Sequence, residues 1–200
     1  MKTYEVPYIN GQPDWETIPA APIDTYLWSD VRTILPSAQA AWNEDALLIR
    51  LQTVEPHIRR EYTGDWDPVY EDSCLEFFFC PKDTDQRYFN FEGNPNGSLY
   101  VGFGNPGGDR CRLHHKDWKT LLQLTPFDIP GGWGWEFRIP VSFIRIFVPD
   151  FQLYSGLTLR ANFFKCGDKT ENEHFISWNP IEHPSPCFHL PQFFGQLKLM

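Results

Sequence analysis

The sequence predicts an all-β protein, an antiparallel β-sandwich of two sheets, on three observations. Apolar residues alternate with a period of two in at least six segments. No stretch of useful length shows a helical period. Eighteen Pro and fourteen Gly punctuate the chain at short intervals, as many short strands joined by tight turns require.

The elements follow in order. Tyr4, Val6 and Tyr8 alternate up to the Asn10-Gly11 turn, and the Pro-punctuated segment from Asp14 to Pro22 reads as irregular. SAQAAW (37–42), the turn Asn43-Glu44-Asp45 and ALLIRLQT (46–53) form a hairpin, with Leu47, Ile49 and Leu51 on one face. HIRREYTGDW (57–66) is charged and reads as a loop. LEFFF (75–79) carries apolar residues on both faces and reads as an interior strand in which Glu76 is the one charge. RYFNFE (87–92) pairs with it, and SLYVGF (98–103) follows the turn Asn94-Pro95-Asn96-Gly97. GNPGGDRCR reads as loop, Leu121–Phe127 as a strand, and GWGWEFRIP (132–140) as a strand that puts Trp133, Trp135, Phe137 and Ile139 on one face. VSFIRIF is compatible with a short helix. LTLRANFFKC (157–166), HFISWNP and FFGQLKL supply the remaining strands. A single domain covers residues 1–200.

Composition excludes several functions. A net charge of −9 and no Lys/Arg run oppose partners held through phosphates, so neither nucleic acid nor an anionic membrane is expected. Composition sets no oligomeric state. No signal-peptide core is visible, which points to the cytoplasm as the sequence stands, or to the outside of the cell if a leader was removed. Five cysteines, with Cys74 and Cys80 too far apart along one strand to bridge, read as free thiols. There is no phosphate-binding glycine loop, nucleophile elbow or CxxC pair. Cys111, His114 and His115 match no ligand spacing, nor do His183 and His189, so no metal ligands are assigned.

The candidate site lies on the second face of the central strands. Glu76 on one and Tyr88, Asn90 and Glu92 on the next put two carboxylates, an amide and a phenol on one side of a sheet. Trp66, in a polar loop just ahead of the central strand, is badly placed for a core and well placed for a ligand. Carboxylates and amides beside aromatic rings suit a sugar, whose C–H faces pack on rings and whose hydroxyls need donors and acceptors. Glu76 and Glu92 also permit a glycosidase reading, as acid and base across a cleft.

The chain resembles the family 9 carbohydrate-binding modules, and most closely their stand-alone relatives. The resemblance is carried by the opening NGxxDW, AxWNEDALLIRL, EDSCLEFFFCP, YFNFEGNPNG, GWGWEFRIP and the closing HFISWNPIEHPSPCFHLPQFFGQLKL. It implies a jelly-roll-like β-sandwich that binds a mono- or oligosaccharide, often at a chain end, between two aromatic side chains, without catalysis and in the service of carbohydrate catabolism. By the same resemblance Trp178 in ISWNP is one clamp residue, with Asn179 beside it, and Glu76 is the carboxylate on the sugar hydroxyls. The second clamp residue is Trp66 or Tyr70. No cofactor is expected. The family allows structural calcium, but no loop here is acidic enough to place it. A protein-interaction module and a haem-binding sandwich are the other readings. With Met only at positions 1 and 200, a Met/His haem site is nearly excluded.

Overall fold

A computed structural model describes residues 1–200. Its fourteen strands are β1 (Thr3–Val6), β2 (Ala21–Pro22), β3 (Thr25–Leu27), β4 (Leu35–Asn43), β5 (Ala46–Val54), β6 (Cys74–Cys80) and β7 (Tyr88–Gly93), followed by β8 (Leu99–Gly104), β9 (Arg110–Leu113), β10 (Thr125–Ile129), β11 (Gly132–Pro140), β12 (Thr158–Cys166), β13 (Phe175–Ser177) and β14 (Gly195–Leu199). The larger sheet runs β1-β14-β12-β6-β7-β8-β9, with β13 and β3 continuing from one end of β12; the smaller runs β10-β11-β5-β4-β2.

The two sheets pack face to face as a sandwich. Leu75, Phe77 and Phe79 of β6 and Phe89 and Phe91 of β7 meet Leu47, Ile49, Leu51, Trp135 and Phe137 of the smaller sheet in one core. Phe91 and Phe137 meet across the gap with ring centroids 5.5 Å apart. Gly93 brings the two sheets close together, since a Cβ there would stand 2.8 Å from the Trp135 ring. Nothing larger than glycine fits there.

The hairpin of β4 and β5 pairs residue for residue through Trp42 and Leu47, as the alternation predicts. Several elements differ from expectation, among them β2, which lies at the end of the segment read as irregular and pairs with β4. The run read as loop contains β9, because Arg110, Cys111, Arg112 and Leu113 alternate and pair with β8. The strand expected over 121–127 begins only at Thr125. Before it comes a short helix, α1 (Trp118–Leu122), whose first turn is capped by Asp117 accepting from the Thr120 N–H at 3.0 Å. The N-terminal segment pairs in parallel, β1 with β14 and Tyr8 with Trp42 in an isolated bridge, whereas the other strand pairs are antiparallel. A second short helix, α2 (Val141–Ile144), follows β11 where VSFIRIF permits one.

One inward position of β12 is not apolar. Lys165 is fully buried and donates to Glu55 Oε1 (3.2 Å), to the Cys166 carbonyl (2.8 Å) and to His174 Nε2 (2.7 Å). An ammonium can only donate, so Nε2 accepts and Nδ1–H of His174 donates to the Asn172 carbonyl at 2.7 Å. Burial, and after it the charge of Lys165, push His174 down to about 3, which keeps the imidazole neutral. Glu55 also accepts from Ser73 Oγ and Trp133 Nε1. This network ties the 167–174 loop to the sheet.

Candidate functional site

Cross-strand register assembles the site on the outer face of the larger sheet. Glu76 stands directly opposite Glu92, Phe78 opposite Asn90, Phe164 opposite Glu76, and Cys166 opposite Cys74. Across β8, Gly102 faces both Asn90 and Arg112, while Tyr100 is the partner of Glu92. Residues opposite each other in a ladder share a face, so these side chains project together, away from the core.

Above them lies a cavity of about 390 Å³. Glu76, Glu92 and Cys166 line it from the sheet, Tyr70 from the 3-10 turn Val69–Glu71, and Asp168 and Glu173 from the loop after β12. Its other wall is the 186–189 segment, where Phe188 stacks on Phe164 at 4.3 Å and His189 lies over Phe78 at 5.2 Å. An adjoining hollow of about 230 Å³ shares Tyr70, Glu92 and His189 and adds Tyr100 and Arg112. A sugar-sized ligand fits the first, with room to continue into the second.

The electrostatics of this face are dominated by carboxylates brought together out of water. Burial, followed by the neighbouring Cys166 and Glu92, holds Glu76 well above the ordinary carboxyl range. Glu92 is pushed up to about 7 by burial, against the opposing pull of its bond from Asn90 and of Arg110 and Arg112. Asp168 is raised to about 6 by burial and then by Glu173. Of the three, Glu76 is the carboxyl that keeps its proton near neutrality, and in that form it can both donate and accept.

Several residues hold this arrangement without lining the cavity. Asn90 donates from Nδ2 to Glu92 Oε1 at 2.7 Å and accepts on Oδ1 from Arg110 Nη2. Gly102 makes room for that chain, since a Cβ there would stand 2.5 Å from Asn90 Oδ1 and 3.2 Å from Arg110 Nη2. Arg110 lies 3.9 Å above the Tyr88 ring, and the Tyr88 hydroxyl bonds His189 Nδ1 at 2.7 Å. Burial, then the charge of Arg110, lower His189 to about 4, so its ring is neutral. Arg112 is sandwiched between the rings of Trp66 (4.6 Å) and Tyr100 (4.3 Å).

One set of side chains has metal-ligand character. Cys74, Glu76 and Cys166 place their ligand atoms within 4.8 Å of one another, and all three are buried.

A family model for "Carbohydrate-binding family 9" matches residues 10–199. The chain belongs to that family. Among solved structures, it is similar over its full length to a protein of Bacteroides uniformis inferred to bind carbohydrate, with a TM-score of 0.87, 29% identity and 99% of that chain covered. Two further similarities share the fold at lower identity. A family 9 carbohydrate-binding module of Caldicellulosiruptor kristjanssonii, solved with glucose, gives a TM-score of 0.70 at 15% identity, covering 100% of this chain and 96% of that one. A second structure, of a family 9 module from the same organism with cellotriose, gives 0.70 at 14%, covering 99% and 93%. Among curated proteins, none matches the sequence.

The residues expected from the sequence divide into three groups in this family 9 chain. Glu76, Glu92 and Tyr70 line the cavity together, whereas Tyr88 and Asn90 share their face and position neighbours from beneath. Trp66 is exposed at the rim, where its indole N–H donates to His114 Nδ1 at 2.6 Å. The third group is elsewhere. Trp178 is only 3% exposed and sits in the main core, edge-on to Phe163 at 5.6 Å and pressed on Gly195, where a Cβ would stand 2.5 Å from its ring. It presents no open face for stacking on a ligand. Asn179 is likewise structural: Oδ1 accepts from the Lys2 N–H and Nδ2 donates to the Phe193 carbonyl, both at 2.7 Å.

Sequence reasoning missed Arg110, Arg112, Asp168, Cys166 and His189 as members of this face. The two arginines were marked by the alternation of DRCRL, which was hidden in a Gly-rich stretch. The other three depend on long-range register and leave no local signal.

Proposed function

We propose that the chain binds a mono- or oligosaccharide in the cavity of the larger sheet, with Glu76 and Glu92 on its hydroxyls and Tyr70 packed against a ring face. The observation that carries this reading is the pairing of two opposed, buried carboxyls at the floor of a sugar-sized cavity whose rim is aromatic. The glucose and cellotriose bound by the Caldicellulosiruptor kristjanssonii modules support a glucan-type ligand. The adjoining hollow beside Tyr100 and Arg112 suits a second sugar unit.

In this reading the carboxyls bind rather than catalyse. Glu76 and Glu92 stand side by side on one wall, while a hydrolase needs its acid and its second carboxylate on either side of the scissile bond. Neutral hydrogen bonds of about 0.5–1.5 kcal/mol each, together with one stacked ring, give micromolar to millimolar affinity. A role in carbohydrate catabolism follows from the same reading.

A glycan screen followed by calorimetry tests it. Tyr70→Ala and Glu76→Gln are expected to weaken the best hit without lowering the melting temperature of Tyr70→Ala, because Tyr70 is 40% exposed. Equal affinity in both variants places the ligand elsewhere. Release of sugar from aryl glycosides that disappears in Glu76→Gln restores the hydrolase reading.

A further inference from the structure

We infer that Cys74, Glu76 and Cys166 form a binding site for a thiophilic divalent cation of the zinc class. Cys74 and Glu76 are two residues apart on β6 and so share a face, and Cys166 is the direct cross-strand partner of Cys74 on β12. Three donors are thus fixed by two interior strands of one sheet, without help from a loop.

The distances fit such an ion. Cys166 Sγ lies 3.0 Å and Cys74 Sγ 3.8 Å from the same oxygen, Glu76 Oε1, and all three donor atoms fall within 4.8 Å of one another. Metal–sulfur bonds of about 2.3 Å and metal–oxygen bonds of about 2.0–2.2 Å at tetrahedral angles give donor–donor separations of about 3.5–3.8 Å. Side-chain rotations that open the 3.0 Å sulfur–oxygen contact by about half an ångström and bring the two sulfurs to within about 3.8 Å complete the fit. Two sulfur donors select zinc, cobalt or cadmium over calcium or magnesium, which prefer oxygen throughout.

The cavity is lined by acidic groups and by no basic side chain other than His189. Glu92, Asp168 and Glu173 also line the cavity, and neither Lys nor Arg does. Burial pushes the Cys74 thiol up to about 12, and the contact with Cys74, followed by burial, raises Cys166 well above its usual value. The two thiols therefore hold their protons, and the Cys166 thiol donates to Glu76. When a dication enters, two metal–sulfur bonds and one metal–oxygen bond form, and the two thiol protons and the Glu76 proton leave to solvent. No electron is transferred. Because Cys166 and Glu76 line the cavity, the fourth coordination position faces its interior. Both thiols approach Oε1, which leaves the second carboxylate oxygen for a ligand.

Cobalt(II) titration of chelator-treated protein, kept reduced and carrying Cys111→Ser and Cys187→Ser to remove the two more accessible thiols, is the test. The expected result is a one-to-one rise of sulfur-to-cobalt charge-transfer absorption together with intense tetrahedral visible bands, both lost on Cys166→Ser. X-ray absorption on the zinc-loaded protein gives a second measurement that does not depend on the folding of that variant, and two sulfur neighbours are expected. A cobalt spectrum without charge transfer, bands that survive Cys166→Ser, or a zinc shell of oxygen and nitrogen alone would each overturn the assignment. So would a Cys74–Cys166 disulfide that persists under reductant.

Discussion

Trp178 separates a sequence reading from a structural one, and replacing it by alanine decides between them. The indole is buried between the sheets, meets Phe163 edge-on and fills the space that Gly195 leaves open. Removing a buried tryptophan costs about 3–5 kcal/mol, the sum of lost transfer energy and the cavity left behind. Gly195 offers no side chain to collapse into that space, which favours the upper half of the range. For a chain of this size each 1 kcal/mol shifts the melting temperature by about 2–4 °C, so Trp178→Ala should melt roughly 6–20 °C below the wild type. Differential scanning calorimetry reads that shift. Isothermal calorimetry with a sugar hit, performed well below the lowered transition, should find binding largely retained. A variant that melts within about 2 °C of wild type and has lost its sugar affinity would refute the packing argument and restore Trp178 as a stacking residue.

Three further outcomes are expected. Gly102→Ala places a Cβ against Asn90 Oδ1 and Arg110 Nη2; separating them forfeits a charge-assisted bond of about 1.5–3 kcal/mol and should weaken sugar binding on the order of tenfold by calorimetry, while unchanged affinity would show that the Asn90 chain does not position Glu92. Glu92 carries a folded pKa of about 7 against an ordinary 4.5, so its contribution to stability is present below about 4.5 and is lost as pH rises through 7; Glu92→Gln should be more stable than wild type at pH 8, by up to about 3 kcal/mol, with the difference closing toward pH 5 in thermal melts. A gap independent of pH would contradict the raised value. Lys165→Met strands the Glu55 carboxylate in the core and should cost about 3–5 kcal/mol in denaturant titration, much of it recovered by adding Glu55→Gln; failure of the double variant to recover would mean that the ion pair is not the source of the loss.

The legible parts of the fold were those with a local period. Leu47, Ile49 and Leu51, Phe77 and Phe79, and Trp133 to Ile139 each declare an inward face within a single strand, and the structure pairs them as that alternation requires. β9 was lost because its four residues follow Asn105-Pro106-Gly107-Gly108, where turn chemistry outweighs a short alternation. α1 was lost because one capped turn is too short to show a helical period. In the site, Glu76, Tyr88, Asn90 and Glu92 were placed on one face by parity alone, and parity holds for any pair of adjacent strands. Trp178 illustrates what parity cannot reach. It follows β13, a strand of three residues, and its N–H donates to the Phe163 carbonyl, which turns the ring inward. That hydrogen bond joins residues fifteen apart in sequence, so no window around ISWNP contains its cause.

The chemistry of the site follows from where the sheet puts its polar residues. An outer face with Glu76 opposite Glu92 would ordinarily be solvated, and both carboxyls would ionise and repel. Here the 167–174 loop, held by His174 on Lys165, and the 186–189 segment, held by Phe188 on Phe164 and His189 on Tyr88, rise over that face and withdraw it from water. Desolvation then raises both carboxyls, Glu92 to about 7 and Glu76 well above the ordinary range, and the protonated form donates as well as accepts. Both walls are anchored to the sheet in part by side chains that do not line the cavity, Lys165 and Tyr88. A substitution at Lys165 or Tyr88 therefore reaches the cavity through the carboxyl pKa values: loosening either wall lets water in, lowers Glu76 and Glu92 toward the ordinary range, and replaces two neutral hydrogen-bonding groups by a repelling pair of anions.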